Sequence, residues 1–99
     1  MEGQVVIVTG GSSGMGKYMA KKFVQEGANV VITGRNEERL QSAKEEIMGD
    51  DPAQVLTIVM DVRNIEDAER MVIETEAAFG RVDHLVNNAA GNFIAPAEK

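Results

Sequence analysis

The chain has no cysteine, no tryptophan, one histidine and two prolines among its 99 residues. The absence of cysteine excludes disulfide bonds, thiolate catalysis and cysteine-bound metals, and we predict no metal site. No apolar run approaches the ~20 residues that a membrane-spanning helix needs. The first apolar run, residues 5–8, also lacks the basic flank of a secretory signal. We therefore expect a cytoplasmic chain that does not bind membranes.

Positive charge is also scarce. Ten Lys and Arg residues stand against sixteen Asp and Glu residues, which gives a net charge of −6. Such an acidic chain is a poor candidate for binding nucleic acid or an anionic membrane. An anionic ligand has to be held instead by local dipoles and a few nearby cations. The 43% hydrophobic and 26% charged residues suit one ordinary globular domain.

Short β-branched runs alternate with stretches of helical periodicity along the chain. This alternation predicts an α/β fold, a Rossmann-type parallel sheet with the element order β-α-β-α-β-α-β. Right-handed crossovers favour the strand order 3-2-1-4, an incomplete doubly wound fold. Ligands bind such sheets at the carboxyl ends of the strands, where the chain reverses direction between strands 1 and 4. The predicted strands are residues 4–9, 29–33, 55–60 and 84–87.

The three predicted helices have clear signals at their ends. Asn36 and Asn64 are typical N-caps for the second and third helices, whereas Gly27 and Gly80 stand where the first and third should end. The third helix carries an apolar stripe that we expect to face the core, formed by Ala68, Met71, Val72, Thr75 and Phe79.

A glycine-rich turn joins strand 1 to helix 1, with the spacing G-x-x-x-G-x-G. One glycine permits the tight turn, one lets a pyrophosphate approach the backbone, and the last lets the helix pack closely. The N–H groups that begin the helix would face that anion. Three glycines elsewhere usually form only a flexible turn, but between a buried strand and an amphipathic helix they predict a dinucleotide site. Its predicted residues are Gly10, Ser12, Ser13, Gly14, Met15 and Gly16.

The end of strand 2 bears on the choice of cofactor. Sites for NAD place an acidic residue there to bind the ribose hydroxyls. This chain has Gly34 followed by Arg35. An arginine can pair with a 2′-phosphate and stack on adenine, although a lone arginine is usually just a solvated surface residue. The sequence therefore favours NADP(H) over NAD(H).

Polar residues also end strands 3 and 4. Asp61, followed by Val62, is either an acceptor for the adenine amino group or a turn residue that caps a backbone N–H, and the sequence leaves both open. After strand 4, Asn88 can satisfy backbone groups, while Ala89 and Ala90 leave room for a flat ring. The alternative is an ordinary polar transition from strand to loop. All five are candidate cofactor-binding residues.

Three further features have simpler interpretations. His84 begins strand 4, at the end of the sheet away from the ligand, and we expect it to be a structural or a surface residue. Lys17 is interpreted as a solvated lysine. The methionines are expected mostly to pack in the core.

Together, these motifs resemble the short-chain dehydrogenase/reductase family over essentially the whole chain. The matching segments are Thr9-Gly10-x-x-x-Gly14-x-Gly16, Asp61-Val62 and Asn87-Asn88-Ala89-Ala90. The family's last motif usually reads Asn-Asn-Ala-Gly, so Ala90 departs from it. The resemblance implies a nicotinamide-dependent oxidoreductase that is a homo-oligomer at full length.

A narrower resemblance is to the dienoyl-CoA reductase branch of that family. It rests on residues 87–93, on Gly14-x-Gly16-Lys17 and on Asp61-Val62-Arg63. It implies NADPH-dependent reduction of a 2,4-dienoyl-CoA to a 3-enoyl thioester in fatty acid metabolism. By this resemblance Arg35, Arg63 and Phe93 contact the acyl-CoA. The alternative within the family is an oxoacyl-thioester reductase or another alcohol dehydrogenase.

The family's catalytic tyrosine, with a lysine four residues later, is expected further along a chain of this kind. Tyr18 and Lys22 have that spacing, but they directly follow the glycine turn, and we interpret the match as coincidence. We predict no catalytic residue among these 99 and expect residues 1–99 to be the NADP-binding Rossmann half-domain at the N-terminal end of a longer enzyme, inactive alone. The alternative outside enzymes is a non-catalytic nucleotide-binding module or fragment.

Overall fold

The structure is a computed structural model that describes residues 2–12 and 14–88. The predicted α/β architecture is confirmed, and each strand differs from its predicted bounds by at most one residue at an end. A short 3₁₀ turn precedes the third strand. In chain order the elements are β1 (Val5–Thr9), α1 (Gly14–Gln25), β2 (Asn29–Gly34), α2 (Glu37–Ile47), the 3₁₀ turn (Pro52–Gln54), β3 (Val55–Val59), α3 (Ile65–Phe79) and β4 (His84–Asn87).

The strands form one parallel sheet in the order β3-β2-β1-β4, which confirms the predicted topology. Thr9, the last residue of β1, lies opposite Thr33 of β2 and Asn87 of β4. On the other side of β2, Thr33 lies opposite Ile58. The carboxyl ends of all four strands therefore meet along one edge of the sheet.

Both faces of the sheet are covered, because successive β1 side chains point to opposite sides. Val6 and Val8 pack against residues of α1 and α2 on one face. Ile7 packs with Met71 of α3 on the other. The two central strands, β1 and β2, are buried on both faces, as their continuous apolar runs predict, whereas Val59 of the edge strand β3 is 43% exposed.

The predicted helix ends are present. The side chain of Asn36 accepts a hydrogen bond from the backbone N–H of Arg39, and Asn64 caps α3 in the same way. Gly27 and Gly80 have φ of +92° and +83°, the left-handed conformation in which a helix commonly ends.

One part of the predicted α3 stripe is wrong. Met71 and Thr75 are buried, but Val72 is 39% exposed and its neighbour Ile73 is 65% exposed. Residue 72 lies about 100° around the helix from residue 71, since a helical turn holds 3.6 residues. The face of α3 that meets the sheet is narrower than the apolar stripe.

Candidate functional site

A cavity of about 630 Å³ lies at the carboxyl edge of the sheet, where the sequence places the ligand site. Its volume is in the range of small-molecule sites in proteins. Residues from the ends of all four strands contribute to it. The lining residues are Gly10, Ser12, Thr33, Gly34, Arg35, Met60, Asp61, Val62, Arg63 and Asn88.

The glycine turn has the conformation that its sequence requires. Gly10 and Gly14 have φ of +69° and +58°, which a side chain would strain. The N–H groups of Gly10 and Gly11 both donate to the carbonyl of Thr33, at 3.0 and 3.2 Å. The turn is therefore fixed to the end of β2 as well as to β1.

Two glycines of this turn stand at positions where any side chain would clash with neighbouring atoms. A Cβ on Gly16 would lie 2.5 Å from the carbonyl oxygen of Gly10 and 2.6 Å from Nδ2 of Asn88. A Cβ on Gly11 would lie 2.6 Å from Cγ2 of Ile32 in β2. Gly16 thus lets α1 start close to the turn and to the end of β4, whereas Gly11 provides the close approach to the sheet. The sequence interpretation missed Gly11, although it stands in the same motif.

Asn88 ties the end of β4 to the glycine turn. Its backbone N–H donates to Oγ1 of Thr9 at 2.9 Å, and its Nδ2 donates to the carbonyl of Gly10 at 3.4 Å. The predicted role of this amide in satisfying backbone groups is therefore observed, and Asn88 also lines the cavity.

Asp61 follows β3 and forms a tight turn with Arg63. Its Oδ1 accepts the backbone N–H of Arg63 at 2.9 Å and Nε at 3.2 Å, while Oδ2 accepts Nη2 at 3.1 Å. The hydrogen bond from the Arg63 guanidinium lowers the pKa of Asp61 to about 2, so this carboxyl is ionised at neutral pH. Of the two interpretations left open by the sequence, the capping role is observed. Asp61 also lines the cavity.

Arg35 is exposed and directly follows the last residue of β2. It lines the cavity, and no carboxylate of residues 2–12 and 14–88 lies within ion-pairing distance of it. Arg63, by contrast, is paired with Asp61. Arg35 can therefore bind an anion in the cavity without first breaking an ion pair within the described part of the chain.

The interpretation of Lys17 as a solvated lysine is wrong. Its Nζ lies 2.8 Å from Oε1 of Glu46, and its side chain is only 32% exposed. The pair links the first turn of α1 to the last turns of α2. A cation at the start of a helix is unfavourable for the helix dipole, and the partner carboxylate offsets that.

The remaining predicted site residues divide into three groups. Met15 is 66% exposed, so it does not pack in the core, and it is not among the residues that line the cavity. Gly14 and Gly16 shape the turn without lining the cavity. Four candidates lie outside the described residues, namely Ser13, Ala89, Ala90 and Phe93.

The sequence interpretation missed Thr33 and Met60 as lining residues, and it named Gly34 only as the residue before Arg35. Each stands at or just after a strand end, so the rule that ligands bind at the carboxyl edge was the available signal.

Two predictions that assign no role in the ligand site agree with the structure. Tyr18 is 64% exposed and does not line the cavity. His84 begins β4 with Nε2 2.9 Å from Oε1 of Gln4, far along the strand from the cavity.

No helix in the described part of the chain is both long and apolar enough to cross a membrane. Within residues 2–12 and 14–88, no cluster of three acidic or histidine side chains could hold a metal ion.

Comparison with known proteins places this geometry in a family. The family model for short chain dehydrogenases matches residues 4–99. A probable 2,4-dienoyl-CoA reductase of Bacillus subtilis, described as (2E)-enoyl-CoA-producing, is 56% identical over 99 residues, which are 100% of this chain and 39% of that protein. An 11-beta-hydroxysteroid dehydrogenase of Pinus massoniana is 45% identical over 89 residues, which are 90% of this chain and 25% of that protein.

The fold is also found among solved structures. The crystal structure of a short chain dehydrogenase from Bacillus anthracis is similar with a TM-score of 0.86 at 58% identity, over 94% of this chain and 37% of that one. The chain thus spans well under half the length of the proteins it matches. The family model, the sheet order and the glycine turn agree, and the chain belongs to the short-chain dehydrogenase family.

Proposed function

We propose that the cavity binds NADP(H) and that the protein to which this chain contributes reduces 2,4-dienoyl-CoA thioesters. The observation that carries the cofactor proposal is Arg35, an arginine without a carboxylate partner in the described part of the chain, at the strand end where NAD sites place an acid. Charge-assisted hydrogen bonds from a guanidinium suit the 2′-phosphate that distinguishes NADP from NAD.

The residues present fit a dinucleotide. The turn around Gly10 and Gly14 has the left-handed backbone that lets phosphates approach without a Cβ, and α1 starts directly after it. The helix dipole adds partial positive charge at that point, which an acidic chain otherwise lacks. The cavity volume of about 630 Å³ supports a ligand of this class.

Within this proposal each side chain has a binding task, and bound NADPH supplies the hydride. The glycine turn and Ser12 hold the pyrophosphate, Arg35 the 2′-phosphate, and Asp61 the adenine amino group. Val62 and Asn88 line the space between them. Ser13, Met15, Ala89 and Ala90 stay candidates for backbone and ring contacts with the same cofactor.

The substrate proposal rests on similarity. The B. subtilis dienoyl-CoA reductase is 56% identical to this chain, whereas the P. massoniana steroid dehydrogenase is 45% identical. The former is described as producing a (2E)-enoyl-CoA, which differs from the 3-enoyl product implied by the sequence resemblance. We therefore propose reduction of the dienoyl thioester. Analysis of the product distinguishes a (2E)-enoyl from a 3-enoyl thioester.

A substrate panel tests this proposal on the full-length protein. A 2,4-dienoyl-CoA, a 3-oxoacyl-CoA and an 11-oxosteroid are each offered with NADPH, and oxidation of NADPH is followed by absorbance. We expect turnover of the dienoyl-CoA, with mass spectrometry and NMR locating the double bond in the product. Turnover of only the oxoacyl thioester or the steroid would reject the dienoyl assignment. NADPH binding without turnover of any of the three would favour the nucleotide-binding module.

A further inference from the structure

Two separate sets of hydrogen bonds fix the main chain and the side chain of Asp61. Its backbone N–H donates to Oδ2 of Asp67 in the first turn of α3, and its carbonyl accepts the N–H of Asn64. These bonds fix the main chain of the turn. The side chain is oriented separately, through the backbone N–H, Nε and Nη2 of Arg63.

The hydrogen bonds to this carboxylate leave a specific acceptor site. An ionised carboxylate has about four lone-pair sites. Oδ1 of Asp61 accepts two of the Arg63 donors and Oδ2 accepts one, so the donors of the described residues fill three. The site that is left is on Oδ2, in a residue that lines the cavity. An exocyclic amino group has the donor that such a site needs.

A contribution to folding stability does not by itself explain why this pair lies beside the cavity. The Arg63 side chain is 76% exposed and that of Asp61 is 33% exposed. Exposed ion pairs contribute little to stability, because solvent screens them and two side chains lose freedom. Arg63 binds Asp61 at two points beside a cavity, and this geometry is better explained by the orientation that it gives to the Asp61 carboxylate.

We infer that Arg63 is a positioning residue for cofactor recognition, which orients the Asp61 carboxylate toward the adenine amino group. This inference rests on the proposed NADP(H) site and assigns Arg63 to the adenine end of that site. Sequence resemblance had assigned Arg63 to the acyl-CoA. A guanidinium that donates twice to Asp61 keeps donors for another partner, so the two roles are compatible in one side chain.

The chain offers a matched control at the opposite end of the sheet. Arg81 donates through Nε and Nη2 to Oδ1 of Asp83, again two residues along, and its side chain is 60% exposed. Removing Arg81 therefore deletes the same charge and the same kind of ion pair far from the cavity. Any effect of Arg63→Ala that comes only from the change in net charge or from a general loss of stability should appear in Arg81→Ala as well.

The test compares two cofactors in the full-length protein. NADPH is titrated beside reduced nicotinamide hypoxanthine dinucleotide phosphate, in which a carbonyl replaces the adenine amino group. Dissociation constants are measured by fluorescence for wild type, Arg63→Ala, Arg63→Lys, Asp61→Asn and Arg81→Ala. The readout is the ratio of the two constants, which a purely structural role of Arg63 would not change.

We expect wild type to prefer NADPH, and Arg63→Ala to weaken NADPH binding about two- to fivefold, the range typical of an exposed pair, with little change for the hypoxanthine cofactor. Arg63→Lys should give an intermediate ratio, because a lysine lacks the planar two-point geometry. Arg81→Ala should keep the wild-type ratio. An unchanged ratio in Arg63→Ala, or equal loss for both cofactors, would overturn the inference, as would a wild-type ratio in Asp61→Asn. Failure of wild type to bind NADPH would instead overturn the proposed cofactor.

Discussion

Gly16 faces Asn88 so closely that a Cβ on Gly16 would lie 2.6 Å from the side-chain nitrogen of Asn88. The carbonyl oxygen of Gly10 would be nearer still, at 2.5 Å. The first turn of α1, the glycine turn and the end of β4 thus meet at a point where no side chain fits. The shape of the candidate phosphate site depends on this contact.

We expect Gly16→Ala to destabilise the protein and to weaken NADPH binding. Alanine normally stabilises a helix relative to glycine, so helix propensity alone predicts the opposite sign. Overpacking a tight contact costs about 1–3 kcal/mol, which here outweighs the propensity. Chemical unfolding and cofactor titration measure the two effects.

Gly49→Ala is the control for this variant. Gly49 follows α2, and a Cβ there would meet nothing within 4 Å. We expect it to leave cofactor binding unchanged and stability equal or slightly higher, because alanine restricts the unfolded chain. If Gly16→Ala proved as stable as Gly49→Ala, the close approach of α1 to β4 would be incorrect.

The buried hydroxyl of Thr33 gives a second prediction. Thr33 is fully buried, and its Oγ1 has no hydrogen-bond partner among the described residues. Thr33→Val removes a polar group whose burial is uncompensated, so we expect a free energy of unfolding equal to wild type or higher by about 1 kcal/mol.

Thr75→Val is the matched comparison, since Thr75 is also fully buried but its hydroxyl donates to the carbonyl of Met71 at 2.7 Å. We expect this variant to lose about 1 kcal/mol with the hydrogen bond. Urea unfolding measures the free energy of unfolding of both variants. A loss in Thr33→Val as large as in Thr75→Val would mean that the Thr33 hydroxyl has a stabilising partner.

Acid sensitivity is predicted at the other end of the sheet. The Asp83 carboxylate accepts the backbone N–H of Val5 at 2.8 Å, which ties the start of β4 to β1 across 78 positions of sequence. The hydrogen bond from Arg81, followed by that from Val5, lowers the pKa of Asp83. A carboxyl whose pKa is lower in the folded state stabilises above its unfolded pKa, and this contribution is lost as the pH falls through the folded pKa.

Asp83→Asn should therefore lower the free energy of unfolding at neutral pH, with the gap to wild type narrowing below about pH 4, the ordinary range of an aspartate. Denaturant unfolding across a pH series measures the gap. The same substitution at the exposed Asp50, in the loop after α2, provides the control and should show no such trend. A gap that stays constant down to acid pH would contradict the assigned role of the Asp83 charge.

Much of this fold could be predicted from the sequence, because β-branched runs and asparagine or glycine caps act locally. Contacts between residues far apart in the sequence were harder to predict. Nothing in the spacing indicates that Gly11 lies against Ile32, and the exposure of Val72 depends on how α3 is rotated on the sheet. The pairing of Arg63 with Asp61 was missed for another reason, since a resemblance assigns ligand contacts but not the internal hydrogen bonds that orient them.

The most direct test of the account is a titration of the full-length protein with NADPH and NADH, for wild type, Arg35→Ala and the control Arg81→Ala. Hydrogen bonds to charged groups contribute about 1.5–3 kcal/mol, so wild type should bind NADPH about 10- to 150-fold more tightly than NADH. Arg35→Ala should lose most of that preference by weakening NADPH binding alone, while Arg81→Ala keeps it. An NADPH preference that survives intact in Arg35→Ala, or a wild-type protein that prefers NADH, would contradict the NADP(H) site proposed at the end of β2.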